Sequence, residues 1–149
     1  MACQKKTTNY PEEMPSDFGL SLNFGYYGKE EVNFYNNTIT KDLIEGGLST
    51  INFNPDDKIL KDIYKKLKDQ NIAGIKGNLK NNNKDILPPR KYILTFTLNG
   101  ENYTILGDDT MNFDSKESKD FIEFVNYIID YVMNTEEYKS LPDATGGYD

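Results

Sequence analysis

The sequence predicts an α+β domain, a mainly antiparallel sheet of about five strands with two helices packed on one face, in the order β-β-β-β-α-(β)-β-β-α. Three observations predict it. From Leu20 onward apolar and polar residues alternate, the period of half-buried strands. Two later segments repeat apolar residues at the 3.6 spacing of helices. Between these two segments, "KYILTFTLNGENYTIL" folds back about Asn99-Gly100 with one side apolar and the other mostly polar.

In chain order, residues 1–17 read as a disordered tether and residues 18–149 as a single domain. The stretch from Lys5 to Ser16 holds no branched aliphatic residue, as a solvated spacer requires, so order is expected from Phe18. Leu20, Leu22, Phe24 and Tyr26 then point to one side, and Ser21, Asn23, Gly25 and Tyr27 to the other. Strands over 31–35 and 38–44 flank Asn36-Asn37, two residues that tolerate positive φ, and a tight hairpin there sets Phe34 across from Ile39. Gly46-Gly47 allows a further reversal into "LSTINF".

After Phe53 the period lengthens, with Ile59, Leu60, Ile63, Tyr64 and Leu67 on one helical stripe. Asn54 is placed to cap it, with Pro55 at the first helical position and Asp56 and Asp57 at the positive end of the dipole. Residues 72–90 are irregular, with a short edge strand expected near Ile75 to Leu79 and a binding element as the alternative role for so long a loop. In the following hairpin Leu98 faces Glu101, Phe96 faces Tyr103 and Leu94 faces Ile105. The last long helix begins near Asp114 or Ser115 and carries a stripe of Phe121, Val125, Ile128, Ile129, Val132 and Met133. "TEEYKSLP" adds a helical turn, and "DATGGYD" reads as a tail. "NFN" precedes the first helix and "NFD" the last, so the halves could be duplicates related by an approximate two-fold axis.

Composition narrows function more than it assigns it. A chain of 149 residues is long enough to bury a real core. With 17 Lys and Arg against 24 Asp and Glu, its charge of -7 repels phosphate backbones, so nucleic acid is not an expected partner. Histidine is absent, which removes Ser-His-Asp triads, Cys-His dyads and His-based zinc sites. "GDDTMNFDSKE" alternates oxygen donors from Asp108 as a calcium loop does, but Phe113 stands where the sharp-turn glycine belongs and Lys119 where the bidentate glutamate belongs. No metal and no cofactor are expected, and a turn with helix-capping carboxylates is the better account. In "GYYG", Tyr26 continues the core face while Tyr27 faces outward near Tyr35, which makes Tyr26, Tyr27 and Tyr35 the candidate binding surface.

The only cysteine, Cys3, follows Ala2 and precedes the polar stretch "QKKTTNYPEEMPSD". This junction, with the β-rich half, the NG hairpin, the long helix and the closing "EEYKSLPDATGGY", resembles the small uncharacterised lipoproteins of Gram-positive bacteria. The resemblance implies lipidation at Cys3, an extracytoplasmic place at the cell surface, membrane contact only through that anchor, and no catalytic residues. The leading expectation is a non-catalytic, monomeric binding or accessory domain for a protein, peptide or glycan. The alternative is a small acidic inhibitor or immunity-type protein that blocks a basic partner. A carboxylate-based hydrolase is the third reading, and it needs two carboxyl groups about 5 to 9.5 Å apart in a cleft.

Overall fold

The structure, a computed structural model, describes residues 9–81 and 83–148. Six strands form one antiparallel sheet: β1 (Gly19–Phe24), β2 (Glu30–Asn33), β3 (Thr38–Asp42), β4 (Leu48–Asn52), β5 (Lys91–Leu98) and β6 (Glu101–Asp108). Their order across the sheet is β4-β3-β2-β1-β5-β6. The α+β class and the antiparallel sheet hold, with six strands in place of about five. The optional strand near Ile75 is instead a short 3-10 turn, Ile72–Gly74, followed by a single parallel bridge from Asn78 to Leu106.

The helices are α1 (Asp57–Asp69), α2 (Lys116–Met133) and the short α3 (Glu136–Ser140). The cap of α1 is Asp56, whose side chain accepts from the Ile59 amide at 2.8 Å, so the helix starts beyond the expected Asn54-Pro55. A carboxylate is the stronger acceptor at that end of the dipole. Ser115 caps α2 through the Ser118 amide. Ile59, Ile63, Tyr64 and Leu67 bury one side of α1, and Phe121, Phe124, Val125, Ile128 and Val132 one side of α2. The α2 stripe is thus centred on Phe124, leaving Met133 exposed and Ile129 half-buried.

The β5–β6 register is the expected one, with Leu98 opposite Glu101, Phe96 opposite Tyr103 and Leu94 opposite Ile105. Phe96 and Tyr103 stack at 4.8 Å, and Tyr103 packs against the same core that contains Phe96 and Val125. The first hairpin departs from expectation. Ile39 faces Val32, not Phe34, because β2 ends at Asn33, whose side chain accepts from the Tyr35 and Asn36 amides and closes a wider turn. Phe34 is buried edge-to-face against Phe53. The first half supplies four strands and the second two, so the sheet gives no support to duplicated halves.

The opposite face of the sheet is open and polar. Registers align Asn52, Thr38, Asn33, Ser21, Thr95 and Thr104 in one row across all six strands. Side chains bond to one another across it: the Thr40 and Thr50 hydroxyls at 2.8 Å, and the Thr97 hydroxyl, which donates to Asn102 Oδ1 at 2.7 Å. An antiparallel sheet tolerates this division into a packed face and a solvated face.

The described part of the expected tether packs on the domain ahead of Phe18, with Tyr10 and Met14 against the core. The Tyr10 hydroxyl donates to Asn71 Oδ1 at 2.6 Å and accepts from the Ala73 amide at 3.1 Å. Tyr64 bonds the Pro11 carbonyl, and Asp17 accepts from the Asn99 and Gly100 amides at the hairpin tip. The rest of the expected tether, with Cys3, lies outside the described residues.

Candidate functional site

The "GYYG" segment is a turn and not the end of a strand. β1 stops at Phe24, where Gly25 takes φ +77°, and Tyr27 and Gly28 also lie in the left-handed region at 58° and 66°. The Gly28 amide closes the turn onto the Gly25 carbonyl at 3.1 Å. Alternation fails at this point, so Tyr26 leaves the core face and is 37 % exposed. A bridge to Arg90 holds it, and the Tyr27 amide donates to the Pro89 carbonyl at 2.8 Å.

Tyr35 does not join them. It lies at the other end of β1, where its ring takes the space a Cβ on Gly19 would need and its hydroxyl donates to Thr97 Oγ1 at 2.8 Å. Of the three candidate residues, the structure brings together Tyr26 and Tyr27 only. The ring that joins them comes from the segment expected to be a tail. Tyr148 sits 5.5 Å from Tyr26 and 5.3 Å from Tyr27 between ring centroids. Its place is fixed by a parallel bridge from Thr145 to Ile44 and by a bond from its hydroxyl to the Asp42 carboxylate.

Tyr26 and Tyr148, but not Tyr27, line a cleft of about 410 Å³ at the end of the sheet. Its walls are Tyr26, Tyr92, Tyr138 and Tyr148, with Phe24, Ile129 and Met133 as apolar surface and Glu30, Asp42, Lys41, Arg90 and Asn126 as polar groups. Glu30 is a half-buried carboxyl of the cleft. Burial pushes its pKa up, partly offset by the Tyr138 hydroxyl, which donates to Oε1 at 2.7 Å. Burial and that same bond raise the Tyr138 pKa strongly, since its phenolate would face a carboxylate. Cations lie against the rings: Lys41 is 5.2 Å from the Tyr138 centroid, Arg90 5.3 Å from Tyr26, and Lys29 5.0 Å from Tyr148.

Sequence reasoning missed Glu30, Tyr138 and Tyr148 as site residues. Glu30 and Tyr138 are 108 positions apart and Asp42 and Tyr148 106 apart, separations that no local pattern reports. The paired glycines around Tyr26-Tyr27 were the available signal for a turn.

The calcium-like loop is a side-chain-closed turn. Asp108 Oδ1 accepts from the Thr110 amide at 2.8 Å and from its hydroxyl, while Thr110 Oγ1 accepts from the Asn81 amide at 2.9 Å. Among the described residues no three His, Cys, Asp or Glu side chains group as metal ligands. The 72–90 loop forms a second hollow of about 420 Å³ beside Tyr27, lined in part by Ile86, Leu87 and Asp109.

Fold and cleft together define an α+β domain with an aromatic, mixed-charge cleft at one sheet end. No family model matches the chain. No curated protein and no solved structure matches it either.

Proposed function

We propose that the protein is a non-catalytic binding domain whose tyrosine-lined cleft takes a short peptide segment, and that a lipid on Cys3 holds it outside the cytoplasmic membrane. The observation that carries the binding reading is four tyrosine side chains converging with Glu30, Asp42, Arg90 and Asn126 on one cleft. Tyrosine offers large contact area at small entropic cost, and pockets with apolar walls and a few convergent polar groups suit ligand binding. A peptide fits better than a sugar chain, because several of the rings already carry a cation of the protein. A peptide can meet the mixed carboxylate, guanidinium and amide groups with its own N–H and C=O.

The test is an NMR titration with a library of uncharged tripeptides, using chito-oligosaccharides as the competing class. Tripeptides should shift resonances of Tyr26, Tyr92 and Asn126, and Tyr148→Ala should weaken binding at least about tenfold. Shifts confined to the open sheet face, or produced by the sugars alone, would remove the peptide reading. The anchor is tested separately by mass spectrometry of the membrane fraction from native cells, where Cys3 should carry diacylglycerol. An unmodified Cys3 would end that part of the proposal.

One observation favours a second reading, the carboxylate hydrolase. Glu30, with its raised pKa, shares the cleft with Asp42, whose backbone N–H is one of its bonding partners and whose charge adds to the rise. Against it, a tyrosine hydroxyl already donates to each of these carboxyls. Turnover of a glycoside panel, lost in Glu30→Gln, would replace the binding proposal.

A further inference from the structure

The two edges of the sheet are treated differently. At β6 the segment after the 3-10 turn covers the edge, with the Leu106 amide donating to the Gly77 carbonyl at 2.9 Å and the Leu79 amide to the Leu106 carbonyl at 2.8 Å. At β4 the phase of the ladder exposes its edge. The Leu43 amide donates to the Gly47 carbonyl and the Phe53 amide to the Asn37 carbonyl, so residues 47, 49, 51 and 53 bond inward to the β3 side. Leu48, Thr50 and Asn52 therefore turn their N–H and C=O groups away from the sheet, and no backbone bond among the described residues reaches them.

Protected edges carry lysines, prolines, bulges or a covering segment. "LSTIN" has none of these. It holds no charge in a chain that is 28 % charged, and Leu48 is 58 % exposed. Such an edge is a template for another strand.

We propose that β4 is a self-association edge: two copies of this chain join β4 to β4 antiparallel, about a two-fold axis through Thr50, in place of the expected monomer. A two-fold contact requires a segment complementary to itself. The outward backbone satisfies that condition, because a register centred on Thr50 sets each outward N–H of residues 48, 50 and 52 against a carbonyl of the second copy. Thr50 then meets the second copy's Thr50, and Leu48 meets its Asn52. Each directly bonded pair exchanges two bonds, about six in all, and every outward N–H finds a carbonyl. On the helix side, Ile51 comes beside the second copy's Ser49 and diagonal to its Ile51, within reach of apolar contact. The strand itself sets no charge against its own copy, despite the net -7 of the chain.

A contact of this size is at the weak end, so sedimentation equilibrium should run from micromolar to about 1 mM protein. The mass should rise from 17.1 kDa toward twice that value. Thr50→Pro removes a central outward N–H without touching the β3 ladder, and should weaken association at least about tenfold while circular dichroism stays unchanged. If that variant does not fold, Thr50→Lys sets two like charges face to face on the axis and should act the same way. Amide exchange gives a residue-level readout: Leu48, Thr50 and Asn52 slow with protein concentration, while Ser49 and Ile51 are slow throughout. A constant 17.1 kDa up to about 1 mM, or a dimer indifferent to the folded variants, would overturn the proposal.

Discussion

On one face of the sheet Leu20, Leu22, Val32, Ile39, Leu94 and Phe96 are sealed in a core shared with α1 and α2, while on the other Ser21, Asn33, Thr38, Thr95 and Thr104 are open to solvent. The same six strands build both. Apolar burial contributes roughly 25 cal/mol per Å², so the covered face supplies most of the folding energy and the open face little. Neither rule governs the strand ends, where the turn at Gly25 and the returning C-terminal segment gather the tyrosines of the proposed binding cleft.

Substitutions on the two faces should break or sharpen that contrast. Phe96→Ala, at a side chain with no exposed surface, should lose about 3 to 5 kcal/mol in urea unfolding. Tyr10→Phe removes one hydroxyl that bonds both Asn71 and the Ala73 amide beside the buried Ile72. It should cost about 1 to 2 kcal/mol, showing that the N-terminal segment belongs to the packed side.

Glu30→Gln is smaller and depends on pH. Burial raises the folded-state pKa of Glu30, so its favourable contribution is complete below the ordinary glutamate range and is lost as pH rises through the raised value. The variant should therefore be more stable than the native chain at pH 7, by a margin that solvent screening of this half-buried side chain keeps small, with the difference vanishing below about pH 4. Unfolding curves at the two pH values check the sign. Smallest of all, Thr95→Val in the polar row should change stability by less than about 0.5 kcal/mol, because its hydroxyl contact to Thr104, at 3.4 Å, is long and solvent-exposed.

The contrast also explains what could be read from the amino acids. The β5–β6 register was legible because Asn99-Gly100 fixes a two-residue turn, with φ of 51° and 81°, and the alternation on both strands agrees with it. The helices were legible from their stripes, although Asn54 and Asp56 compete to cap α1 and sequence alone favoured the wrong one. Asn36-Asn37 misled because Asn33 closes the turn earlier through its side chain. The cleft was mostly illegible. Alternation places Tyr26 on the core face because it carries no information about the positive φ of Gly25, and the sequence around Tyr148 looks like a tail because its contacts to Tyr26 and Asp42 are set only by the tertiary fold.

The central claim is that the tyrosines at the sheet end are held for contact and not for folding. Urea unfolding of a Tyr26→Ala, Tyr148→Ala double variant tests it most directly. The double variant should fold with the same cooperativity and lose less than about 1 kcal/mol. A loss comparable to that of Phe96→Ala, about 3 kcal/mol or more, would make the rings part of the core and contradict the account.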